Sequence, residues 1–259
     1  MQESGEQSQG SKLLTVVERI LAPTDSLIAL SEEFLQNAQQ RELEGASATL
    51  DAAGGAVVRH FSTRTAITGG LTAAPALLPG AGTLLAAAGG AMADMGMMLK
   101  YEVEMALVLS HLYGFDITQD EERQLAFLLA SIGTYEAKSG GNFFVDVAQA
   151  EGIAIWKYTP REVSKLLVRV MAKIALLQVS KGFLRALPLV GIAVGSSMNK
   201  VLTQRVGERC IRELKTRRQL LKKRPATKKE PAKKAAVKKG AAKKGAAKKG
   251  AAKPRKKAS

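Results

Sequence analysis

One stretch decides what this chain can fold into. Between Thr65 and Leu99 the only charged residue is Asp94, and residues 71–93 are rich in Ala, Leu and Gly and broken by Pro75 and Pro79. Each proline removes a backbone donor and clashes with the preceding turn, so no single helix can cross the run. The expected form is a broken or hairpin segment, followed by a long helix from near Ala81 to Tyr113. A smaller relative, ALPLVGIAVGSSMN at 186–199, repeats the pattern of a proline followed by closely spaced glycines in apolar surroundings. At 23 residues without charge, 71–93 is long enough to cross a bilayer. Its Ala, Gly and Pro content suits a closely packed buried hairpin better, with a membrane-inserting hairpin as the competing reading.

The rest of the body reads as helices separated by punctuation. Residues 1–10 are expected to be disordered, and Ser11 to cap a helix through Leu21, which Pro23 stops. A second helix from Thr24 or Asp25 to Gly45 and a third punctuated by Gly54-Gly55 follow. Gly114 is placed as a left-handed residue just past the long helix, with Phe115 folding back on its last turn. Thr118 to Glu121 reads as a capping box, and so does Thr159 to Glu162 with Pro160 in the first helical position. The latter opens a helix to about Lys181 with Val163, Leu166, Leu167, Val170, Ile174 and Leu177 on one face. Pro188 breaks the chain again, and a last helix runs from about Gly191 to Leu221. No window alternates with period two between turns, so the fold class is all-α: a multi-helix domain with two Gly/Pro-broken apolar segments. Aromatic content is only 5%, so the core must be built from Leu, Val, Met and Ala at close approach.

Charge divides the chain sharply. Of 39 basic and 23 acidic residues, 17 and one respectively fall in 222–259, which leaves 22 of each in 1–221. The whole excess of +16 therefore sits in the last 38 residues. Lysine pairs recur there every five residues: Lys228 and Lys229, Lys233 and Lys234, Lys238 and Lys239, Lys243 and Lys244, Lys248 and Lys249. Lys253, Arg255, Lys256 and Lys257 follow them. On a helix a five-residue step rotates each pair by about 140°, so no basic face would form. With no apolar face to offset ordering entropy, the tail is expected to be disordered. Spaced lysines neutralise phosphates by counterion release without reading bases, so DNA is the first expected partner, bound without sequence preference. Another polyanion or an anionic lipid surface competes, as does a merely solubilising role. The paired-lysine composition resembles the tails of linker histones and bacterial histone-like proteins.

The body carries its own resemblance. LPGAGTLLAAAGGAMADM at 78–95, YGFD at 113–116 with DEER at 120–123, and LPLVGIAVGSSMNKVLTQRVG at 187–207 together resemble the EcsC protein family over roughly residues 15–215. That resemblance implies a helical module on the cytoplasmic side, with membrane association, and brings no catalytic residues with it. The lysine tail is no part of the family pattern.

Catalytic constellations are missing from the sequence. His60 and His111 are far apart in the chain, and the single cysteine, Cys210, rules out an intrachain disulfide or a cysteine-based metal site. GAGTLLAAAGG follows a proline break and not a strand, which removes the context of a dinucleotide-binding turn. Asp94, amid Ala, Gly and Met, must be paired, protonated or facing a cavity, with Asn199, Lys200 or a helix N-terminus near the second Gly-rich segment as candidate partners. Tyr113 and Asp116 flank a helix stop and read as local packing and hydrogen-bonding residues. Neither enzymatic activity, nor a metal, nor a cofactor is expected. The domains are a short disordered start (1–10), a helical body (11–221) and a polycationic tail (222–259). The body is expected to engage an unknown protein partner or a membrane surface, with the protein cytoplasmic, on the nucleoid or at the inner membrane face.

Overall fold

In the computed structural model the backbone is described over residues 2–73, 82–139, 157–181 and 190–223, and side chains over 7–68, 95–139, 157–177 and 197–222. Seven helices fill these ranges: α1 (Gln2–Ile20), α2 (Thr24–Gln39), α3 (Gly45–Ala73), α4 (Gly82–Leu112), α5 (Asp120–Ser139), α6 (Pro160–Lys181) and α7 (Val190–Lys223). The described residues contain no strand, and the fold is all-α.

α4 is the hub. It packs against each of the other six helices, and every residue from Glu102 to Ser110 is buried. A helix enclosed on all sides has no polar face to give to water. Leu99, Val103, Met105, Val108 and Leu109 are among its fully buried side chains, so methionine fills the centre of this aromatic-poor core. Around it, α3 lies antiparallel to α7, with Asp51 reaching Lys215 and Val58 facing Gly207. α1 rests on α6, and α5 joins α6 to α4 and α7.

The helix ends follow from local chemistry. Gly114 has φ +89°, a conformation open to glycine without steric cost. Phe115 N–H donates to the Ser110 carbonyl and Gly114 N–H to that of His111, both at 2.9 Å, so α4 closes with a Schellman motif as expected. At α6, Thr159 N–H donates to Glu162 Oε2 (2.7 Å) while Glu162 N–H faces Thr159 Oγ1 (3.4 Å). This is the reciprocal capping box that the sequence predicts.

Four expectations are corrected. α1 begins at Gln2, so the segment read as disordered is helical from its second residue. The reason is docking: Gly10 is so close to α6 that a Cβ would sit 2.4 Å from the Val168 carbonyl oxygen. α2 stops at Gln39, well short of Gly45, and the chain reverses through Glu42 (φ 49°) and Gly45 (φ 86°). Leu43 lies in that reversal and is 39% exposed. Gly54-Gly55 does not interrupt α3, because Gly54 is the close-packed point against Ile211 and Tyr113. Finally, α5 starts at Asp120, without the Thr118–Glu121 box. Asp116 supplies the turn instead, accepting from Thr118 N–H (3.0 Å), Thr118 Oγ1 (2.6 Å) and Gln119 Nε2 (3.2 Å).

Residues 74–81 with Pro75 and Pro79, 182–189 with Pro188, and the tail from 224 onward lie outside the described residues. The hairpin and tail expectations fall there. α7 ends at Lys223, two residues beyond the expected edge of the body.

The tightest crossing yields a test. A Cβ on Gly207 would meet Val58 Cγ2 at 2.5 Å, Val58 Cγ1 at 2.9 Å and Met105 Sδ at 3.0 Å. Val58 is β-branched and stiff, so α7 must move away from α3 and α4 to admit it. Gly207→Ala is expected to cost about 1–3 kcal/mol by overpacking, read as a lowered denaturation midpoint; an unchanged midpoint contradicts the close crossing.

Candidate functional site

Two carboxylates lie in the fully enclosed part of α4. Glu102 and Glu104 are 0% and 2% exposed, and two residues along a helix rotates them about 200° apart. They therefore face opposite sides of the core, and each side treats its carboxylate differently.

Glu104 faces the junction of α1 and α2. Its Oε1 accepts the Ala22 backbone N–H at 2.7 Å and the Lys100 ammonium at 2.7 Å. Ala22 lies between two helices, where its amide has no ladder to join, so Glu104 satisfies an orphan donor while Lys100 balances its charge.

Glu102 faces α5 and α7. Thr134 Oγ1 lies 2.5 Å from its Oε2, and Thr203 Oγ1 donates to its Oε1 at 3.1 Å. Both threonines are fully buried. Among the described residues no cation stands at ion-pair distance from Glu102. Burial pushes its carboxyl up to about 7, against smaller opposing effects of Thr134, the charge of Lys138 and Thr203. Nearby on α7, the buried Cys210 thiol is pushed up to about 12, chiefly by burial. It stays protonated at neutral pH, and only the thiolate is strongly nucleophilic.

The residues singled out from sequence fall into separate places. Asp94 belongs to the described backbone of α4, two turns before Glu102, but its side chain is outside the described set. Asn199 is buried on α7, one turn before Thr203. Tyr113 is buried at the far end of α4, and its hydroxyl has no hydrogen-bond partner among the described residues. Burial, and then the charge of Asp51, push that phenol up to about 12. Asp116 is exposed, and its carboxyl is held below the usual range by the Thr118 hydroxyl first, then by the Thr118 backbone N–H and the Gln119 side-chain amide. It is a turn-former. The structure thus places Tyr113 and Asp116 together at the end of α4, and Asn199 on the side of Glu102.

The residues expected to bind nucleic acid all lie in the tail, beyond the described residues. They are the pairs Lys228 and Lys229, Lys233 and Lys234, Lys238 and Lys239, Lys243 and Lys244, and Lys248 and Lys249. Lys253, Arg255, Lys256 and Lys257 complete the set.

Other polar groups are committed locally. His60 packs edge-on between Phe34 and Phe61, and burial followed by the charge of Arg64 lowers its pKa. Arg217 makes a two-pronged pair with Glu122, both contacts at 2.5 Å, and lies 4.1 Å over the Phe115 ring. These close one rim of a cleft between α5 and α7 floored by Leu125, Leu129 and Leu214. No group of His, Cys, Asp and Glu suited to a metal ion occurs among the described residues. None of the described helices is long and apolar enough to cross a membrane.

Sequence reasoning missed Glu102 and Glu104, although a signal was present. In LKYEVEMALVLS, residues 99–110, two carboxylates within a mostly apolar stretch point to opposite sides of one helix. No single solvent face could take both. Comparison of the chain with protein-family models, with characterised proteins and with solved structures gives no match.

Proposed function

We propose that this chain is a non-enzymatic binding protein whose helical body, EcsC-like in its resemblance, is tethered to DNA without sequence preference by its lysine tail. One observation carries the reading: the body has equal numbers of acidic and basic residues, and the entire +16 lies in 222–259. The ion pairs of α7 support it. That helix is rich in arginine and lysine, yet Arg209 pairs with Glu136, Lys215 with Asp51 and Arg217 with Glu122. Three cations of α7 thus join it to α3 and α5, and the uncompensated charge of the tail is left to meet phosphate.

A polycation of this kind gains affinity by releasing counterions, so binding weakens steeply with salt. The full chain is expected to retain duplex DNA and to lose about 10³–10⁵ in affinity between 50 and 200 mM salt if it neutralises roughly 6–10 phosphates. A 1–223 truncation is expected to lose retention and salt dependence together. Equal binding by the truncated body in a filter-retention titration sinks the proposal.

A second reading has its own support. α3 and α7 are antiparallel, which brings the end of α3 and the start of α7 to the same end of the pair. There Ile67, Met198 and Val201 are 59%, 52% and 43% exposed. The two Gly/Pro-broken apolar segments follow and precede these points in the chain. A peripheral protein that inserts this end into a bilayer, its tail reading anionic head groups, fits that placement. Flotation separates the two readings: on this second one the 1–223 body still rises with anionic vesicles, and a body that stays at the bottom of the gradient removes it.

A further inference from the structure

The two buried carboxylates of α4 form a natural comparison. Glu104 has an ammonium at 2.7 Å and a backbone N–H at 2.7 Å. Glu102 is more deeply buried and, among the described residues, has only two neutral hydroxyls. An ionised carboxylate without a counter-charge is among the costliest groups to bury, and the usual resolution is to keep its proton.

The proton count agrees. Thr134 Oγ1 lies 2.9 Å from the Ala130 carbonyl oxygen and 2.5 Å from Glu102 Oε2, yet a hydroxyl has one hydrogen. If Glu102 is ionised, that hydrogen can serve only one of two acceptors. If Glu102 holds a proton on Oε2, the acid donates to Thr134 Oγ1, Thr134 donates to Ala130, and Thr203 donates to Oε1. Each hydrogen then has one acceptor, and Glu102 leaves no charge in the core.

We propose that Glu102 is a proton-binding site at the centre of the body, held as the neutral acid in the folded chain, and that its ionisation loosens the joint between α4, α5 and α7. Among the described residues the titratable groups that bear on it are few. On α5, Lys138 favours the ionised form, and its Nζ also lies 3.7 Å from Met95 Sδ. On α7 the Cys210 thiol is neutral, and Arg209 is paired with Glu136 of α5. On α4 itself Lys100 is engaged by Glu104.

The direction of the pH effect follows. In the unfolded chain the Glu102 carboxyl releases its proton near its ordinary value of 4.5, whereas in the folded chain it does so near 7. Its contribution to stability is therefore full below about pH 4.5 and declines as pH rises from there through 7. Above that the folded chain carries the unpaired charge. The window includes the neutral range, so modest acidification tightens the body and alkalinity slackens it.

Glu102→Gln keeps the shape, replaces the acid hydrogen with an amide donor, and cannot ionise. Denaturant titrations of the full chain from pH 4.5 to 8 are expected to show wild-type stability falling relative to that of the variant, by about tenfold or more in the folding equilibrium. A difference between the two that stays constant with pH overturns the proposal. Should the variant fail to fold, carbon-13 NMR of the glutamate carboxyls in the wild-type chain decides it. One glutamate titrating near neutrality is expected, and all of them titrating in the ordinary range refutes the idea.

Discussion

Enclosure of α4 by six other helices is the constraint on which the rest depends. A helix in that position can offer no face to water, so its polar side chains must find partners in the protein or lose their charge. Glu104 takes the first course, drawing the α1–α2 junction and Lys100 onto one side of the hub. Glu102 meets two threonines, one from α5 and one from α7. These contacts fix which residues of the neighbouring helices lie opposite α4, something that a wholly apolar interface of Leu, Val and Met specifies less sharply. Small residues complete the arrangement: Gly207 brings α7 onto Val58 and Met105, and Gly10 brings α1 onto the backbone of α6.

The same chain keeps its electrostatics in two compartments. Within the body, Arg209, Lys215 and Arg217 of α7 are matched by carboxylates of α3 and α5, so this charge serves cohesion. Beyond Lys223 the composition offers no such matching, with a single acid, Glu230, among the remaining lysines and arginines. On the proposed reading, attraction to a polyanion depends on the tail, while the identity of what is carried there depends on the body. On the proposed reading, a proton bound at Glu102 acts on the body alone and leaves the charge of the tail unchanged.

Local signals are the legible part of the sequence. Thr159-Pro160-Arg161-Glu162 and Gly114-Phe115 each specify a helix end through hydrogen bonds within a few residues, and both form as expected. Pro79 before it and Gly114 after it likewise bracket α4, whose limits at Gly82 and Leu112 lie within a residue of expectation. What escapes the sequence depends on distant partners. The polar start of α1 reads as disordered until α6 is known to lie against Gly10, and Gly54-Gly55 reads as punctuation within a helix until α7 is placed beside it. Thr118 and Glu121 have the spacing of a capping box, but Asp116 takes the Thr118 donors first. Asp94, the one charge in an apolar stretch, stands out in the sequence far more than Glu102 and Glu104 do. The spacing of those two says that one solvent face cannot take both, and the covering of α4 on every side is what buries each of them.

The central claim, that a neutral helical body is located by a basic tail, is tested most directly by where the protein resides in cells. Fluorescent fusions of the full chain and of residues 1–223 would be imaged side by side. The account predicts full-length protein on the nucleoid and truncated protein spread through the cell. The same location for both would contradict it, and a shared position at the envelope would make the helical body itself the anchor.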